Sequence, residues 1–188
     1  MKPFQLYTTK SATPEAAEIL GAMRDQIGFV PNVSAVLAES TPALSAFVDL
    51  NRKFESSLFT PTEREIIVIA TAVENRSVYC VAGHTAFAHM QNVPEAIIDA
   101  VRNSQPISDG KLQALQVFTR ALVSNRGNIA KIEFERFFSA GYTPTHAMEV
   151  VLGICLMTYS NLASNSIGLP LDDQFKQYGW QVPHDRAA

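Results

Sequence analysis

The sequence lacks the residues on which cross-linked and metal-stapled folds depend. Its 188 residues include two cysteines, Cys80 and Cys155, and four histidines. Two cysteines cannot build a disulfide scaffold or, by themselves, a zinc site, and a disulfide between them is disfavoured in a reducing cytoplasm. A chain of this length buries roughly 70% of its unfolded surface and needs no such staple. Each cysteine is therefore expected to be either a buried small hydrophobe or a reactive thiol.

An excess of one charge and long hydrophobic runs are also missing. Fifteen basic and eighteen acidic residues give a net charge of −3, and no cluster of Lys or Arg points to nucleic acid as a partner. The longest uninterrupted apolar run, residues 150–157, has eight residues, whereas a membrane-spanning helix needs about 20. The first residues contain no apolar signal core. We therefore expect a cytoplasmic protein that binds neither membrane nor nucleic acid.

Motifs for bound cofactors are absent as well. The sequence contains no glycine-rich phosphate loop, no HExxH metal helix and no GxSxG nucleophile elbow. Its four histidines are scattered rather than spaced as metal ligands. Neither a metal nor a cofactor is therefore predicted, and any catalysis is expected to rely on side chains alone.

What the sequence does have is a set of helix starts. Four Thr-Pro pairs begin at residues 13, 41, 60 and 143. Threonine at an N-cap accepts a hydrogen bond from a free amide, and proline at the next position has no amide to lose. Glu63 follows Thr60 by three residues and completes a capping box. Together with hydrophobic periodicity, these starts predict an all-α chain with helices at residues 14–26, 42–56, 61–75, 78–91, 94–103, 109–123, 130–139 and 144–163.

The chain is expected to form a single helical domain. Its parts are an N-terminal helical lobe at residues 1–58, a core at 59–166 that carries the motif, and an extended C-terminal arm at 167–188. Two predicted helical stretches, residues 66–73 and 147–162, are apolar on almost every side. Because a helix without a polar face is buried centrally or in a subunit interface, we expect a homo-oligomer.

The densest group of reactive side chains lies between residues 65 and 89. Cys80 and His84 are four residues apart, which on a helix puts their β-carbons about 5–6 Å apart on one face. Ser77 is placed to cap this helix, so that the free amides and dipole of its first turn favour a thiolate at Cys80. His84 is positioned to take or return the thiol proton. If the preceding helix folds back, Glu65 can orient His84 or relay protons.

Each of these residues also has a purely structural interpretation. A buried cysteine more often packs than reacts, which applies to Cys80 and still more to Cys155, in the middle of an apolar helix. Glu65 is equally explained as a first-turn acid that complements the helix dipole. Tyr79, next to the cap, is expected to pack, and His89 is expected at the surface.

The order of these residues resembles one family. Glu65 is followed at residues 75–85 by Asn-Arg-Ser-Val-Tyr-Cys-Val-Ala-Gly-His-Thr. This pattern is similar to that of the AhpD-like alkylhydroperoxidases of the carboxymuconolactone decarboxylase superfamily. Their peroxidase-related members show a glutamate, a Cys-x-x-Cys and a histidine four residues after the second cysteine. Similar stretches stand at residues 28–32, 58–65 and 169–172, so that the resemblance covers residues 15–175.

The resemblance implies an all-helical dimer, trimer or hexamer in which a dithiol reduces hydroperoxides. In the family a glutamate and a histidine relay protons, and a partner thiol system restores the reduced state. The matching catalytic residues of this chain are Glu65, Cys80 and His84, with Ser77 and Tyr79 as auxiliary residues.

The chain departs from the family pattern at two positions. Ser77 stands at the first cysteine of the motif, and Tyr79 stands where the peroxidase proper often carries a histidine. A serine cannot form a disulfide with Cys80, so a single-cysteine cycle needs an external thiol to resolve the sulfenic acid.

Three functions are left open by the sequence. The first, which the residues favour, is a thiol-dependent peroxidase-like oxidoreductase in which Cys80 attacks a small hydroperoxide, His84 is the base and Glu65 orients it. The second is a decarboxylase-like lyase in which His84 is the general acid/base, Glu65 assists and Cys80 is only a pocket wall. The third is a helical oligomer that has lost the dithiol and is redox-inactive.

Overall fold

The computed structural model describes residues 4–183, and the regular secondary structure in this range is helical, which confirms the predicted all-α class. The helices, in chain order, are α1 (Pro14–Ile27), α2 (Asn32–Leu37), α3 (Thr41–Glu55), α4 (Pro61–Glu74), α5 (Val78–Met90), α6 (Glu95–Arg102), α7 (Gly110–Ser124), α8 (Lys131–Ser139), α9 (Pro144–Ile167) and a 3₁₀ helix (Asp173–Tyr178). All eight predicted helices are present, and the largest difference is at the end of α9, which continues to residue 167.

The Thr-Pro starts form as predicted at three of the four pairs. There the N-cap side chains accept hydrogen bonds from first-turn amides: Thr13, Thr60 and Thr143. At the remaining pair the N-cap is Ser40, whose hydroxyl accepts from the amide of Ala43 at 3.4 Å. The helix α3 therefore starts at Thr41, one residue earlier than expected.

The helix α4 lies at the centre of the fold. It packs against α5, α7 and α9, and its residues from Glu65 to Val73 are all buried. The helix α9 packs in turn against α3, α4 and α5. These are the two helices whose sequences are apolar on almost every side. A central position covers their apolar surfaces with neighbouring helices. Both helices also pack against α5, which carries the predicted site.

Two elements are missing from the sequence prediction. The helix α2 lies in the segment between the first two predicted helices, and its six residues are too few for a hydrophobic period to be recognised. The 3₁₀ helix lies in the arm that was expected to be extended, and it packs against α5. The arm is therefore helical at residues 173–178, where the prediction of an extended arm is wrong. Residues 184–188 of the arm lie outside the described residues.

The length and composition of α9 alone would allow it to cross a membrane. It has 24 residues, and an 18-residue window within it has a mean hydropathy of 1.3. Its contacts with α2, α3, α4, α5 and α7 explain this composition, because a central helix needs apolar residues on most of its circumference.

One face of α9 is nevertheless exposed, and it carries Cys155. Met148 and Leu162 are 64% and 66% exposed, and Cys155 is exposed between them. The interpretation of Cys155 as an inert core residue is therefore wrong. Successive helical residues differ in direction by about 100°, so Cys155 points away from the buried Leu156. The homo-oligomer stays a prediction.

Close packing of α9 depends on Gly153. A Cβ at this position would lie 2.6 Å from Cε2 of Phe54 and 2.9 Å from Cγ2 of Ile67. We expect Gly153→Ala to lower the free energy of unfolding by about 1–3 kcal/mol, because the core would have to shift. The matched control is Gly21→Ala, since a Cβ at this helical position meets only Thr9 at 4.0 Å. That variant should be more stable by about 0.5–1 kcal/mol. Urea denaturation measures the change in the free energy of unfolding for both variants. A change of the same sign in Gly153→Ala and Gly21→Ala would contradict the close packing at Gly153.

Glu63 is a buried carboxylate held by three neighbours. Its Oε1 accepts from the hydroxyl of Tyr142 at 2.8 Å, and its Oε2 accepts from the amide and hydroxyl of Thr60 at 2.9 and 2.8 Å. The Nζ of Lys111 lies 3.3 Å from Oε1. Burial alone would raise the pKa of Glu63, but these hydrogen bonds and the Lys111 charge outweigh it and hold the pKa below its ordinary value.

This pKa shift predicts a pH-dependent contribution to stability. A carboxyl whose pKa is lower in the folded state stabilises the fold above its unfolded pKa, and the contribution disappears as the pH falls through the folded pKa. We expect Glu63→Gln to cost about 1.5–3 kcal/mol at pH 7, because hydrogen bonds to a charged group are lost. The difference from the native protein should shrink below about pH 4.

Urea denaturation of the native protein and the Glu63→Gln variant at pH 7 and pH 3 checks this prediction. The exposed Glu18 of α1 provides the control, since Glu18→Gln should change little at either pH. A Glu63→Gln effect of the same size at both pH values would contradict the assignment.

Candidate functional site

The site is built where the chain reverses from α4 into α5. Ser77 is the N-cap of α5, and its Oγ accepts from the amide of Cys80 at 3.4 Å, as the sequence predicts. The amide of Ser77 donates to the carbonyl of Ala72 at 2.9 Å, and Arg76 takes a left-handed φ of 55°. This turn lays α5 back along α4, so that Glu65 near the start of α4 faces the middle of α5.

Glu65 and His84 are brought together by this reversal. The Oε2 of Glu65 lies 3.0 Å from Nδ1 of His84, and its Oε1 accepts from Nε2 of Gln91 at 2.7 Å. The carboxylate is buried, whereas the imidazole is partly exposed. A carboxylate on Nδ1 orients the ring and leaves Nε2 as the nitrogen that exchanges a proton with a substrate.

The thiol of Cys80 is bonded to serines rather than to His84. Its Sγ lies 3.2 Å from Oγ of Ser160 and 3.6 Å from Oγ of Ser164, both on α9. Among the described residues these hydroxyls are the hydrogen-bond partners of the thiol. The sequence suggests direct proton exchange between Cys80 and His84, but no hydrogen bond joins these two side chains. A substrate or a water molecule therefore has to connect the thiol and the imidazole.

Ser160 and Ser164 differ in their other hydrogen-bond partners. Ser164 donates to the carbonyl of Asn161 at 3.2 Å and lies 3.1 Å from Oγ of Ser77. Its single proton can go to this carbonyl, to Oγ of Ser77 or to the thiol, so either Ser164 or Cys80 can be the donor between them. Ser160 has Cys80 as its hydrogen-bond partner, so its hydroxyl can rotate to donate to sulfur. A donor directed at sulfur stabilises negative charge there.

Tyr79 connects α5 to α2 and to the C-terminal segment by hydrogen bonds. Its hydroxyl donates to Oδ2 of Asp172 at 2.6 Å and accepts from the amide of Val33 at 3.1 Å. The carboxylate of Asp172 also accepts from the amide of Asn32 at 3.0 Å. Burial, with the adjacent Asp172, raises the pKa of Tyr79. Burial also raises the pKa of Asp172, and these hydrogen bonds only partly offset it. Tyr79 therefore anchors α2 and the C-terminal segment, in addition to packing.

The C-terminal segment supplies one wall of the site through Phe175. Its ring packs edge-on against Tyr79 and Phe87, with centroid distances of 5.9 and 5.6 Å. A Cβ at Gly83, between Cys80 and His84 in sequence, would lie 3.1 Å from this ring. The glycine therefore lets Phe175 lie directly against α5.

A cavity of about 730 Å³ joins these groups. Cys80, His84 and Glu65 line it, and apolar side chains of several helices form most of its remaining wall, among them Phe47 of α3 and Leu156 of α9. The lining includes the exposed Arg52 and Met90 as well as buried residues, so the cavity opens to solvent. A substrate of moderate size can therefore meet the thiol and the Glu65–His84 pair at the same time.

The spacing of residues predicts Glu65, Ser77, Cys80 and His84 in this site but not the serines of α9. Ser160 and Ser164 are four residues apart in a mostly apolar helix, and that spacing is a signal of a small polar stripe. Which helix the stripe faces cannot be read from the sequence. His89 is partly exposed as expected, and it stacks on Tyr178 with a centroid distance of 4.8 Å.

The arrangement combines a thiol with a carboxylate–imidazole pair. Such a pair can move protons at neutral pH, and a thiol can act as a nucleophile toward an electrophilic atom in the same cavity. Within residues 4–183, no group of three or more His, Cys, Asp or Glu side chains is placed to hold a metal ion.

Sequence comparison assigns one segment of the chain to a family. Residues 50–122 match the profile of the carboxymuconolactone decarboxylase family. The matched segment runs from the end of α3 into α7 and includes Glu65, Cys80 and His84. No curated protein sequence matches the chain.

Solved structures share the fold over nearly the whole chain. An alkylhydroperoxidase AhpD core, described as an uncharacterized peroxidase-related protein from Ralstonia eutropha JMP134, matches with a TM-score of 0.82 and 24% identity, covering 93% of this chain and 96% of that chain. An uncharacterized peroxidase-related protein from Silicibacter sp. TM1040 matches with a TM-score of 0.78 and 17% identity, over 93% and 96% of the two chains.

A third similar structure is an enzyme. The apo debrominase Bmp8 matches with a TM-score of 0.75 and 15% identity, covering 88% of this chain and 90% of that chain. A cysteine-to-alanine variant of Bmp8 is known in complex with 2,3,4-tribromopyrrole. At these identities the similarity establishes an AhpD-like all-helical fold.

Proposed function

We propose that this chain, which carries a carboxymuconolactone decarboxylase family domain at residues 50–122 on an AhpD-like fold, is a one-cysteine oxidoreductase that reduces hydroperoxides. The observation that carries the proposal is that the Cys80 thiol and the Glu65–His84 pair line the same cavity. A nucleophile and a proton donor for the leaving group are thus both within reach of one bound molecule.

The first step oxidises Cys80. Its sulfur attacks the terminal oxygen of the hydroperoxide, an S–O bond forms and the O–O bond breaks. The proton lost by the thiol reaches the departing alkoxide through His84, which gives an alcohol and a sulfenic acid on Cys80. The Ser160 hydroxyl, 3.2 Å from the sulfur, can donate to it as negative charge develops there, and Glu65 holds the imidazole through Nδ1.

An external thiol completes the cycle. It attacks the sulfenic sulfur, water leaves and a mixed disulfide forms on Cys80. A second molecule of thiol then attacks the mixed disulfide, which frees Cys80 and releases the external disulfide. Two thiols and one hydroperoxide are converted into a disulfide, an alcohol and water.

The two cysteines provide a matched pair of variants for testing this function. Cumene hydroperoxide consumption is measured with dithiothreitol as reductant, and the sulfenic acid is trapped with dimedone and located by mass spectrometry. The native protein and Cys155→Ser should consume peroxide and carry the adduct on Cys80. Cys80→Ser should show only the uncatalysed rate. Equal consumption by Cys80→Ser and the native protein would contradict the proposal.

A lyase that uses the same pair is the second candidate. It is favoured by the finding that His84 is bonded to Glu65 and not to the thiol, so the pair can transfer protons without Cys80. In that case Cys80→Ser keeps full lyase activity on an unsaturated lactone acid, and His84→Gln loses it. Retention of lyase activity without peroxide consumption would replace the first proposal by the second.

The debrominase relative adds one arm to the assay. Because a similar fold binds 2,3,4-tribromopyrrole, that compound is incubated with the native protein, Cys80→Ser and excess dithiothreitol. Bromide release that depends on Cys80 and exceeds peroxide turnover would identify a carbon–bromine bond as the preferred electrophile.

A further inference from the structure

Access to the Cys80 sulfur is confined to the cavity. Cys80 is 3% exposed, and its sulfur lies against the hydroxyls of Ser160 and Ser164 on α9. The residue lines the cavity of about 730 Å³, whose outer lining includes exposed residues such as Arg52 and Met90. Any molecule that reacts with this sulfur has to enter the cavity.

No second thiol of this chain shares that space. Position 77, which is hydrogen-bonded to the amide of Cys80, is a serine. Cys155 is exposed on α9 and does not line the cavity, although Leu156 and Ser160 of the same helix do. The sulfur that resolves oxidised Cys80 therefore comes from another molecule.

The geometry of thiol exchange limits what that molecule can be. The incoming sulfur must reach the Cys80 sulfur itself, through a mixed disulfide. A cysteine on a folded protein carries its neighbouring backbone with it, so its sulfur reaches the 3%-exposed Cys80 only if that backbone also enters the cavity. A small thiol can enter as a whole, as the hydroperoxide does.

We propose that the physiological reductant is a low-molecular-weight thiol that enters the substrate cavity, rather than a cysteine on the surface of a partner protein. This inference rests on the proposed function for its place in the cycle. The small thiol attacks the sulfenic sulfur and expels water, which leaves a mixed disulfide on Cys80. A second small thiol attacks this disulfide, which forms the small-molecule disulfide and returns Cys80 as the thiol.

The test uses mixed disulfides prepared directly, so that it does not depend on peroxidase activity. Glutathione is attached through an activated disulfide to Cys80 in the Cys155→Ser variant, and to Cys155 in the Cys80→Ser variant as the exposed control. The release of glutathione is then timed by mass spectrometry with free glutathione or with a reduced thioredoxin at equal thiol concentration.

The expected result is a difference between the two sites in which reductant they accept. At Cys80 the ratio of the thioredoxin rate to the glutathione rate should be at least tenfold lower than at Cys155. A ratio at Cys80 within threefold of that at Cys155, or above it, would overturn the inference. Failure of the proposed function would show separately, as no sulfenic acid on Cys80 after cumene hydroperoxide.

Dihydrolipoamide is added to the same experiment to compare a small dithiol with the monothiol glutathione. A dithiol that enters the cavity should free Cys80 without a lasting adduct, because its second sulfur expels the first. Fast release at Cys80 by dihydrolipoamide supports entry of a small molecule. Release at Cys80 by thioredoxin alone would overturn it.

Discussion

Ser77→Cys is expected to give the protein an internal dithiol cycle. Upon oxidation by one equivalent of cumene hydroperoxide, the introduced thiol should displace water from the Cys80 sulfenic acid and form a disulfide. The sulfenic acid should therefore persist for a time at least about tenfold shorter than in the native protein with millimolar glutathione, because the resolving thiol is held in place. Dimedone trapping at timed intervals measures this lifetime.

The helix start makes this bond geometrically reasonable. Ser77 is the N-cap, and Cys80 is three residues further on. Side chains three apart on a helix are neighbours, and a disulfide needs Cα atoms about 4.4–6.8 Å apart. The Oγ of Ser77 already lies 3.4 Å from the amide of Cys80 and 3.1 Å from Oγ of Ser164. A thiol in its place points into the group of side chains that surrounds the Cys80 sulfur.

A control separates proximity from the mere addition of a thiol. Ser166→Cys adds a cysteine at an exposed position of α9, and it should leave the lifetime of the Cys80 sulfenic acid within twofold of the native value. If both variants shorten the lifetime equally, or if Ser77→Cys forms no disulfide with Cys80, position 77 is not a resolving position.

The same variant should also be reduced by small thiols. A disulfide between positions 77 and 80 is reduced when either sulfur is attacked. The position-77 side chain is as buried as Cys80, so small thiols should still be preferred. Turnover with dihydrolipoamide should rise most, since a small dithiol can complete the exchange alone.

Most of the helices could be predicted from local patterns in the sequence. Thr60, Pro61 and Glu63 specify a helix start by short-range hydrogen bonding alone, and the capping box forms as predicted. The short α2 escaped prediction, because its burial comes from contacts with α3 and α9 rather than from its own pattern. The same holds for the 3₁₀ helix, whose Phe175 packs against α5.

The candidate site divides along the same line. Ser77, Cys80 and His84 belong to one helix and its N-cap, so their spacing could be read directly. The contact between Glu65 and His84 depends on the tight turn at Arg76, which the sequence suggested only conditionally. The partner of the thiol depends on how α9 crosses α5, and no residue spacing contains that information.

Loss of the imidazole should have the largest effect on catalysis after loss of the thiol. We expect His84→Gln to lower kcat/KM for tert-butyl hydroperoxide by about 10²–10⁴, because general acid–base catalysis contributes that much. An alkoxide is a poor leaving group and needs a proton as the O–O bond breaks. The Glu65-bonded ring of His84 lines the cavity and can supply it.

The choice of leaving group distinguishes proton transfer from a structural role. A peracid releases a carboxylate, which is stable without a proton, so His84→Gln should lose less than about tenfold with peracetic acid. A variant that merely distorts the cavity would lose activity with both oxidants to the same extent. The control is His89→Gln, since His89 lies on the same helix, stacks on Tyr178 and does not line the cavity.

The activity of Glu65→Gln should lie between that of the native protein and that of His84→Gln. The amide keeps the size of the side chain and can still hydrogen-bond to Nδ1 of His84, but it no longer stabilises an imidazolium. The loss with tert-butyl hydroperoxide should be smaller than for His84→Gln, and the double variant should be no worse than His84→Gln alone, because Glu65 acts through the ring. Additive losses in the double variant would mean that Glu65 transfers protons on its own account, and the order of the relay from carboxylate to imidazole to alkoxide would have to be revised.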